Sequence, residues 1–279
     1  MSEYSDQNST PKPCALILGG SSGLGLATAK KLARHGFDII IVHRDRKSDL
    51  KEITSNFEDI TLSDSRLCTL NADATNPDKR SQMLSDIKAF LDEDNLQQIH
   101  VLVHSIAKGN LKMMRPEVMP GTASQENTRT LSNDDLQLTL NAMALSLYDW
   151  TKMLVEAELF ADDTRIISFT SEGSTKAWPG YAAVSAAKAT LESLTRSIAL
   201  EFATLGIKAN CIQAGTTDTR SFQMIPGHET LKKNALERNP NKRLTRPEDV
   251  ANAAYLLTTR EAEWITGTVI KVDGGESLR

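Results

Sequence analysis

The sequence predicts an α/β chain folded as a single domain, with a doubly wound parallel sheet of about seven strands, and three observations carry that prediction. Short apolar runs rich in Ile, Val and Leu alternate with longer amphipathic stretches along most of the chain. The first run, CALILGG from Cys14, breaks at glycines and leads straight into a helical pattern closed by Gly36. No linker or composition shift divides the 279 residues, 40% of them hydrophobic, so one sizeable core accounts for the length. Residues 1–12 read as a disordered polar tail and 13–279 as the domain.

The elements follow in order. After the Cys14 strand and its helix, FDIIIVH is a second strand, and residues 47–63 read as a charged outer helix. SRLCTLNADAT is a third strand ending at Asp73, and a solvated helix covers 78–94. IHVLVHSIAKG is a fourth strand whose apolar centre suits an interior parallel position. Residues 108–130 carry Pro, Gly and polar residues with little periodicity, so they are expected to form a loop over the carboxyl edge, with methionines facing something apolar. One long helix then runs from a Ser cap near Ser132 to about Phe160. DDTRIISFTS is the fifth strand, and Tyr181 begins the next helix, with Pro179 in its first turn. GIKANCIQAGTTDT and TGTVIKVDGG supply strands six and seven.

Composition excludes some functions. The net charge is −4 with acids and bases interspersed, which argues against a general nucleic-acid surface. No 18-residue apolar run and no apolar leader segment occur, so neither membrane insertion nor export is expected. Cys14, Cys68 and Cys211 are unclustered and each lies in an apolar run, which reads as buried free thiols in a reducing, cytoplasmic compartment.

Several residues point to chemistry. Gly19, Gly23 and Gly25 sit at the first strand-to-helix junction, where missing side chains let a helix N-terminus meet a pyrophosphate; this is the Rossmann-like arrangement, and the alternative is merely a tight turn. His43 and Arg44 stand at the end of strand two, where an acid would accept a ribose hydroxyl and an arginine would neutralise a 2′-phosphate. NADP(H) is therefore favoured over NAD(H), although Asp45 is close. Asp73 suits an adenine-side hydrogen bond or a turn before Pro77. His104 has no second histidine at ligand spacing, so no metal is expected.

Lys188 follows Tyr181 by seven positions, which at about 100° per residue returns to nearly the same helical face. The ammonium is expected to reach toward the phenol and favour its ionised form, so that the phenol donates a proton or stabilises an oxyanion. The alternative is an Ala-rich core helix with an incidental Tyr and Lys.

Together, these residues resemble the short-chain dehydrogenase/reductases from about residue 12 to the C-terminus. The resemblance implies a coenzyme set of Gly19, Ser21, Ser22, Gly23, Leu24, Gly25, Arg44, Asp73, Ala74, Ser105, Ile106, Ala107, Lys188, Gly215, Thr217 and Thr219. It implies Asn141, Ser171, Tyr181 and Lys188 as the catalytic set. Ordinary members place the lysine four residues after the tyrosine, where this chain has Ser185, and end strand four in Asn-Asn-Ala-Gly rather than His104-Ser105-Ile106-Ala107. Both departures resemble the enoyl-acyl-carrier-protein reductases of the FabI and FabL types; Ser171 is closer to FabL.

That likeness implies reduction of a trans-2-enoyl thioester in fatty acid synthesis, with Tyr181 bonding the thioester oxygen and Lys188 holding the nicotinamide ribose. It also suggests a homotetramer. Phe222, Met224 and Ile225 would line a lid within residues 216–243 over the acyl chain. Lys232, Lys233, Arg238, Lys242, Arg243 and Arg246 would receive an acidic acyl carrier protein or form a solvated face. Two other readings compete: a related enzyme acting on a 3-ketoacyl thioester, ketone or alcohol, and a non-catalytic protein that senses coenzyme.

Overall fold

A computed structural model describes residues 12–94, 97–116, 130–225 and 227–279. The strands are β1 (Cys14–Leu18), β2 (Asp38–His43), β3 (Leu67–Asn71), β4 (Ile99–His104), β5 (Phe160–Ser171), β6 (Ile207–Ala214) and β7 (Val269–Val272). They form one sheet in the order β3-β2-β1-β4-β5-β6-β7, with every pairing parallel. The helices are α1 (Gly23–Arg34), α2 (Leu50–Thr61), α3 (Pro77–Asp92), α4 (Asn133–Leu140), α5 (Ser146–Glu156), α6 (Ala182–Glu201), α7 (Arg220–Gln223), α8 (His228–Arg238) and α9 (Pro247–Leu256).

Strands β1 and β2 are buried along their whole length because both sheet faces are covered, which is why their sequences read as continuous apolar runs. Leu16, Leu18 and Leu102 face α3, α5 and α6, whereas Ala15, Ile17 and Val103 face α1, α2 and α9. Each fully buried Leu or Ile contributes about 1.5–3 kcal/mol of hydrophobic stabilisation. Strand β1 lies between β2 and β4, so the chain reverses its direction of winding there, and the carboxyl ends of β1 and β4 flank the crevice where such sheets take ligands.

Four local expectations are corrected. The long helix after Ser132 is two helices joined by a wide π-helical turn over Asn141–Leu145; the apolar run across it hides the extra residue. Tyr181 caps α6 from outside rather than lying in its first turn, and Pro179 sits in the preceding turn. The helix expected over 47–63 opens with a short 3-10 turn at Lys47–Asp49 before α2. Cys68, on edge strand β3, is only half-buried, while Cys14 and Cys211 are buried, and all three are free. The polar tail, apart from Lys12, and the expected loop from 117 to 129 lie outside the described residues. Among the described residues, no helix is long and apolar enough to cross a membrane.

Trp150 of α5 is fully buried, and its indole N–H donates to the Ala74 carbonyl at 2.9 Å, tying α5 to the loop after β3. Replacing Trp150 by alanine is expected to cost about 3–5 kcal/mol of stability in urea denaturation. A loss below about 1 kcal/mol would show that the indole is not a packed core element.

Candidate active site

The site assembles where β1, β4, β5 and β6 end. Backbone contact fixes its left half. Gly19 has φ +86°, and a Cβ there would lie 2.6 Å from the Ser105 carbonyl oxygen; one on Gly25 would strike the carbonyl oxygen of Gly19. Strand β4 and helix α1 therefore meet the glycine loop with no side chain between them. The first turn of α1 carries no acidic residue, and its cap Ser22 makes no side-chain bond to it. Its orphan N–H groups and positive dipole end suit a phosphate, which is the fit a dinucleotide needs. Ser21 is buried and Ser22 exposed on this loop, with Leu24 partly covered.

At the end of β2 the two expected cation positions part company. His43 is buried and its Nδ1 lies 2.7 Å from Asp45 Oδ2, so it does not face a ligand. Arg44 is exposed and reaches Asp73 Oδ2 at 3.3 Å. Lys108, absent from the sequence reading, reaches the same oxygen at 3.1 Å. Burial raises the Asp73 pKa, but hydrogen bonds from Thr75 and the Lys108 ammonium outweigh it and hold the group at about 2. Asp73 is thus an ionised hub between two cations rather than only a turn residue. The signal for Lys108 was its position just past the end of strand four.

Below the cleft, His104 is 1% exposed and its Nε2 lies 2.8 Å from Ser146 Oγ. Ser146 itself donates to the Ala142 carbonyl at 2.8 Å, so the histidine donates to Ser146 and ties β4 to the π turn. Burial, with Lys188 nearby, pushes its pKa down to about 3. Ser105, Ile106 and Ala107 continue along the carboxyl edge beyond it.

Ser171 Oγ stands 3.5 Å from the Tyr181 hydroxyl and accepts from Gly173 N at 3.3 Å. A Cβ on Gly173 would strike the Tyr181 ring, and Trp178 meets that ring edge-on at 5.4 Å between centroids. Glycine and indole thus set where the phenol points. Lys188, 7% exposed, donates from Nζ to the Phe169 carbonyl at 2.7 Å, and burial lowers its pKa to about 8. Here the expectation fails: Lys188 makes no hydrogen bond to the phenol, and burial raises the Tyr181 pKa, only partly countered by Ser171. Ser185 instead bonds the Gly173 carbonyl at 2.5 Å.

Asn141 is not brought to the site; it is exposed on the π turn. The extra residue of that turn rotates Met143 inward, where it packs against Val184, Ala187 and Tyr181. On the right half, Gly215 packs against Thr245 and Asp273, and Thr217 donates to the Gly215 carbonyl at 2.9 Å. Thr219 caps α7 and sits against Gly23, closing this loop on the glycine turn.

Phe222 meets His228 edge-on and Ile225 is partly covered, whereas Met224 is 74% exposed. Pro226 lies outside the described residues. Four of the six basic residues of this region are paired: Lys232 with Asp218, Lys233 with Glu237, Arg243 with Asp249, and Arg238 with Glu172 and Glu276. They form less of a free cationic surface than their sequence suggests.

The sequence and the fold match known proteins. The family described as "Enoyl-(Acyl carrier protein) reductase" matches residues 19–277. The chain belongs to this family of short-chain dehydrogenase/reductases and is an NAD(P)-dependent oxidoreductase. It is 26% identical to an NADPH-dependent aldehyde reductase-like chloroplastic protein of Arabidopsis thaliana, with 99% of both chains covered. It is 25% identical to the 3-oxoacyl-[acyl-carrier-protein] reductase FabG of Chlamydia muridarum, over 94% of this chain and 96% of that one. The NADH-dependent enoyl-[acyl-carrier-protein] reductase of Aquifex aeolicus shares the fold at TM-score 0.78 and 24% identity, over 96% of this chain and 97% of that one.

The buried histidine gives a pH prediction. His104 is held near pKa 3 in the fold against 6.5 in the unfolded chain, so the unfolded state binds the extra proton and stability rises with pH across that window. Between pH 6.5 and 5, above most carboxylate titration, stability should fall by up to about 1.4 kcal/mol per unit on acidification. Urea denaturation of His104→Gln should show a slope reduced by about that amount. An unchanged slope would mean that the imidazole is not held neutral.

Proposed function

We propose that the protein reduces the trans-2 double bond of an enoyl thioester with NADPH, as an enoyl-acyl-carrier-protein reductase. The observation that carries this reading is the pairing of Ser171 and Tyr181, 3.5 Å apart, with a buried Lys188 seven positions after the tyrosine. When bound, the coenzyme supplies the hydride. In an enoyl thioester the hydride is received at the β-carbon, about two bonds from the carbon bearing the oxygen, so the oxyanion donor stands farther from the nicotinamide than in carbonyl reduction. A tyrosine moved one turn toward the start of α6, ahead of an unmoved lysine, supplies that distance.

Burial keeps the Tyr181 phenol protonated, so it donates to the thioester oxygen as the enolate forms. Ser171 orients the phenol through its hydroxyl. Lys188, anchored on the Phe169 carbonyl, retains two donors for the ribose side of the coenzyme. An acyl carrier protein as acyl donor, a cytoplasmic setting and a homotetramer built on α4, α5 and α6 complete the proposal; the exposed Leu138, Leu145 and Tyr148 support the last.

The names of the Arabidopsis and Chlamydia relatives, an aldehyde reductase-like protein and a 3-oxoacyl-[acyl-carrier-protein] reductase, favour a second reading, reduction of a carbonyl group such as that of a 3-ketoacyl thioester. Paired assays of crotonyl and acetoacetyl thioesters with NADPH separate the two. Faster turnover of the crotonyl thioester is expected, with Tyr181→Phe losing about 10²- to 10⁴-fold in kcat. Faster acetoacetyl reduction would overturn the enoyl reading.

Coenzyme choice is tested separately. Arg44→Ala should lower the NADPH-to-NADH ratio of kcat/KM by about tenfold, the scale of one lost charge-assisted phosphate contact. An unaltered ratio would remove Arg44 from phosphate recognition.

A further inference from the structure

Arg238, the last residue of α8, reaches two carboxylates that belong to different parts of the chain. Its Nη1 lies 3.1 and 3.0 Å from the two oxygens of Glu172, and its Nη2 lies 2.9 Å from Glu276 Oε1. Glu172 is 9% exposed and Glu276 2%, so both carboxylates depend on local partners for their charge. Glu172 also pairs with Lys176. Glu276 accepts from Thr216 N at 3.0 Å and from Thr216 Oγ1 at 2.8 Å.

The sequence neighbours of these groups give the cluster its meaning. Glu172 follows Ser171 directly and opens the 3-10 turn that carries Gly173, against which the Tyr181 ring rests. Thr216 lies between Gly215 and Thr217 on the loop that closes against the glycine turn through Thr219. Glu276 lies in the C-terminal turn after β7. A guanidinium is planar, always charged, and presents its donors as a rigid fork. One such group held by two buried carboxylates therefore sets the distance between the turn after β5 and the loop after β6, the two backbones that frame the site.

We propose that Arg238 is a positioning residue for the reaction: through Glu172 it fixes the turn behind Ser171 and Tyr181, and through Glu276 and Thr216 it fixes the loop on the coenzyme side. The bridge also anchors the end of α8, so this helix, the hydroxyl pair and the loop after β6 share one tie. Its effect on coenzyme binding rests on family membership alone, while its effect on turnover rests also on the enoyl thioester reading.

The test compares Arg238→Lys, which keeps the charge but loses the fork, with Glu276→Gln, which keeps the shape but loses one charge. Three quantities are read: the NADPH Kd from coenzyme fluorescence, melting with and without saturating NADPH, and kcat and KM with crotonyl thioester. Arg238→Lys should raise the NADPH Kd and lower kcat, each by about tenfold or more, as small misplacements of a reacting group do. The thioester KM should stay within about twofold, because the acyl contacts are not removed. The gain in melting temperature on adding NADPH should shrink in step with the Kd.

The double variant Arg238→Lys with Glu276→Gln should bind NADPH no more weakly than the weaker single, since both act along one path. Parental Kd and kcat in both single variants, or a lowered melting temperature with Kd and kcat unchanged, would overturn the proposal by leaving the bridge a structural element only. If the parent protein turns over no acyl thioester, the enoyl reading fails, and the Kd comparison still decides the role of Arg238.

Discussion

The structure depends on a place where three backbone segments touch with nothing between them. The turn at Gly19 lies against Ser105 at the end of β4, and Gly25 of α1 lies against Gly19 in turn. A methyl group at either glycine would part the two central strands from the first helix. Because the contact is made by main chain alone, the N-terminus of α1 opens directly onto the crevice, and the end of β4 delivers His104 beneath it. The hydroxyls of Ser171, at the end of β5, and Tyr181, at the cap of α6, are placed against this fixed corner by the register of the sheet, in which His104 pairs with Ser168 and Ser171 with Ala214.

What could be read from residues alone follows the distance over which the causes act. The seven strands were legible because each is a short run rich in apolar residues, and the inner ones are covered on both faces. The glycine turn, Ser171 and Tyr181 were legible because each lies at the end of a strand or the start of a helix, where local pattern fixes place, and Lys188 because of its seven-residue spacing from Tyr181. The π turn was not, since LQLTLNAMALSL is apolar at spacings that serve a regular helix or a widened one; this one inserted residue exposes Asn141 and buries Met143. Lys108 and Arg238 were not placed either, because their partners Asp73, Glu172 and Glu276 are distant in the chain and ordinary in type. Basic residues counted along the sequence suggested a docking surface or a solvated face, whereas folding pairs several of them with surface acids and turns Arg238 toward two buried carboxylates.

Burial also changes the acid–base account. Spacing placed an ammonium beside the phenol, but the free chain turns Lys188 toward a backbone carbonyl, and both groups are pushed toward their neutral forms: the tyrosine upward and the lysine to about 8. The phenol is therefore held in the form that can donate a proton, and the lysine is brought nearer to neutrality. His104 is neutral for the same reason, so the floor of the cleft carries no fixed positive charge from its imidazole.

Strand order has a consequence for how the chain comes off the ribosome. Strand β1 pairs on one side with β2, which follows it closely, but its other side waits for β4. A nascent chain ending before Ile99 therefore presents an apolar strand with one unpaired edge, the template onto which another copy could add. Any fragment cut between β3 and β4 inherits the same open edge, so the sticky species in the life of this protein are its incomplete chains.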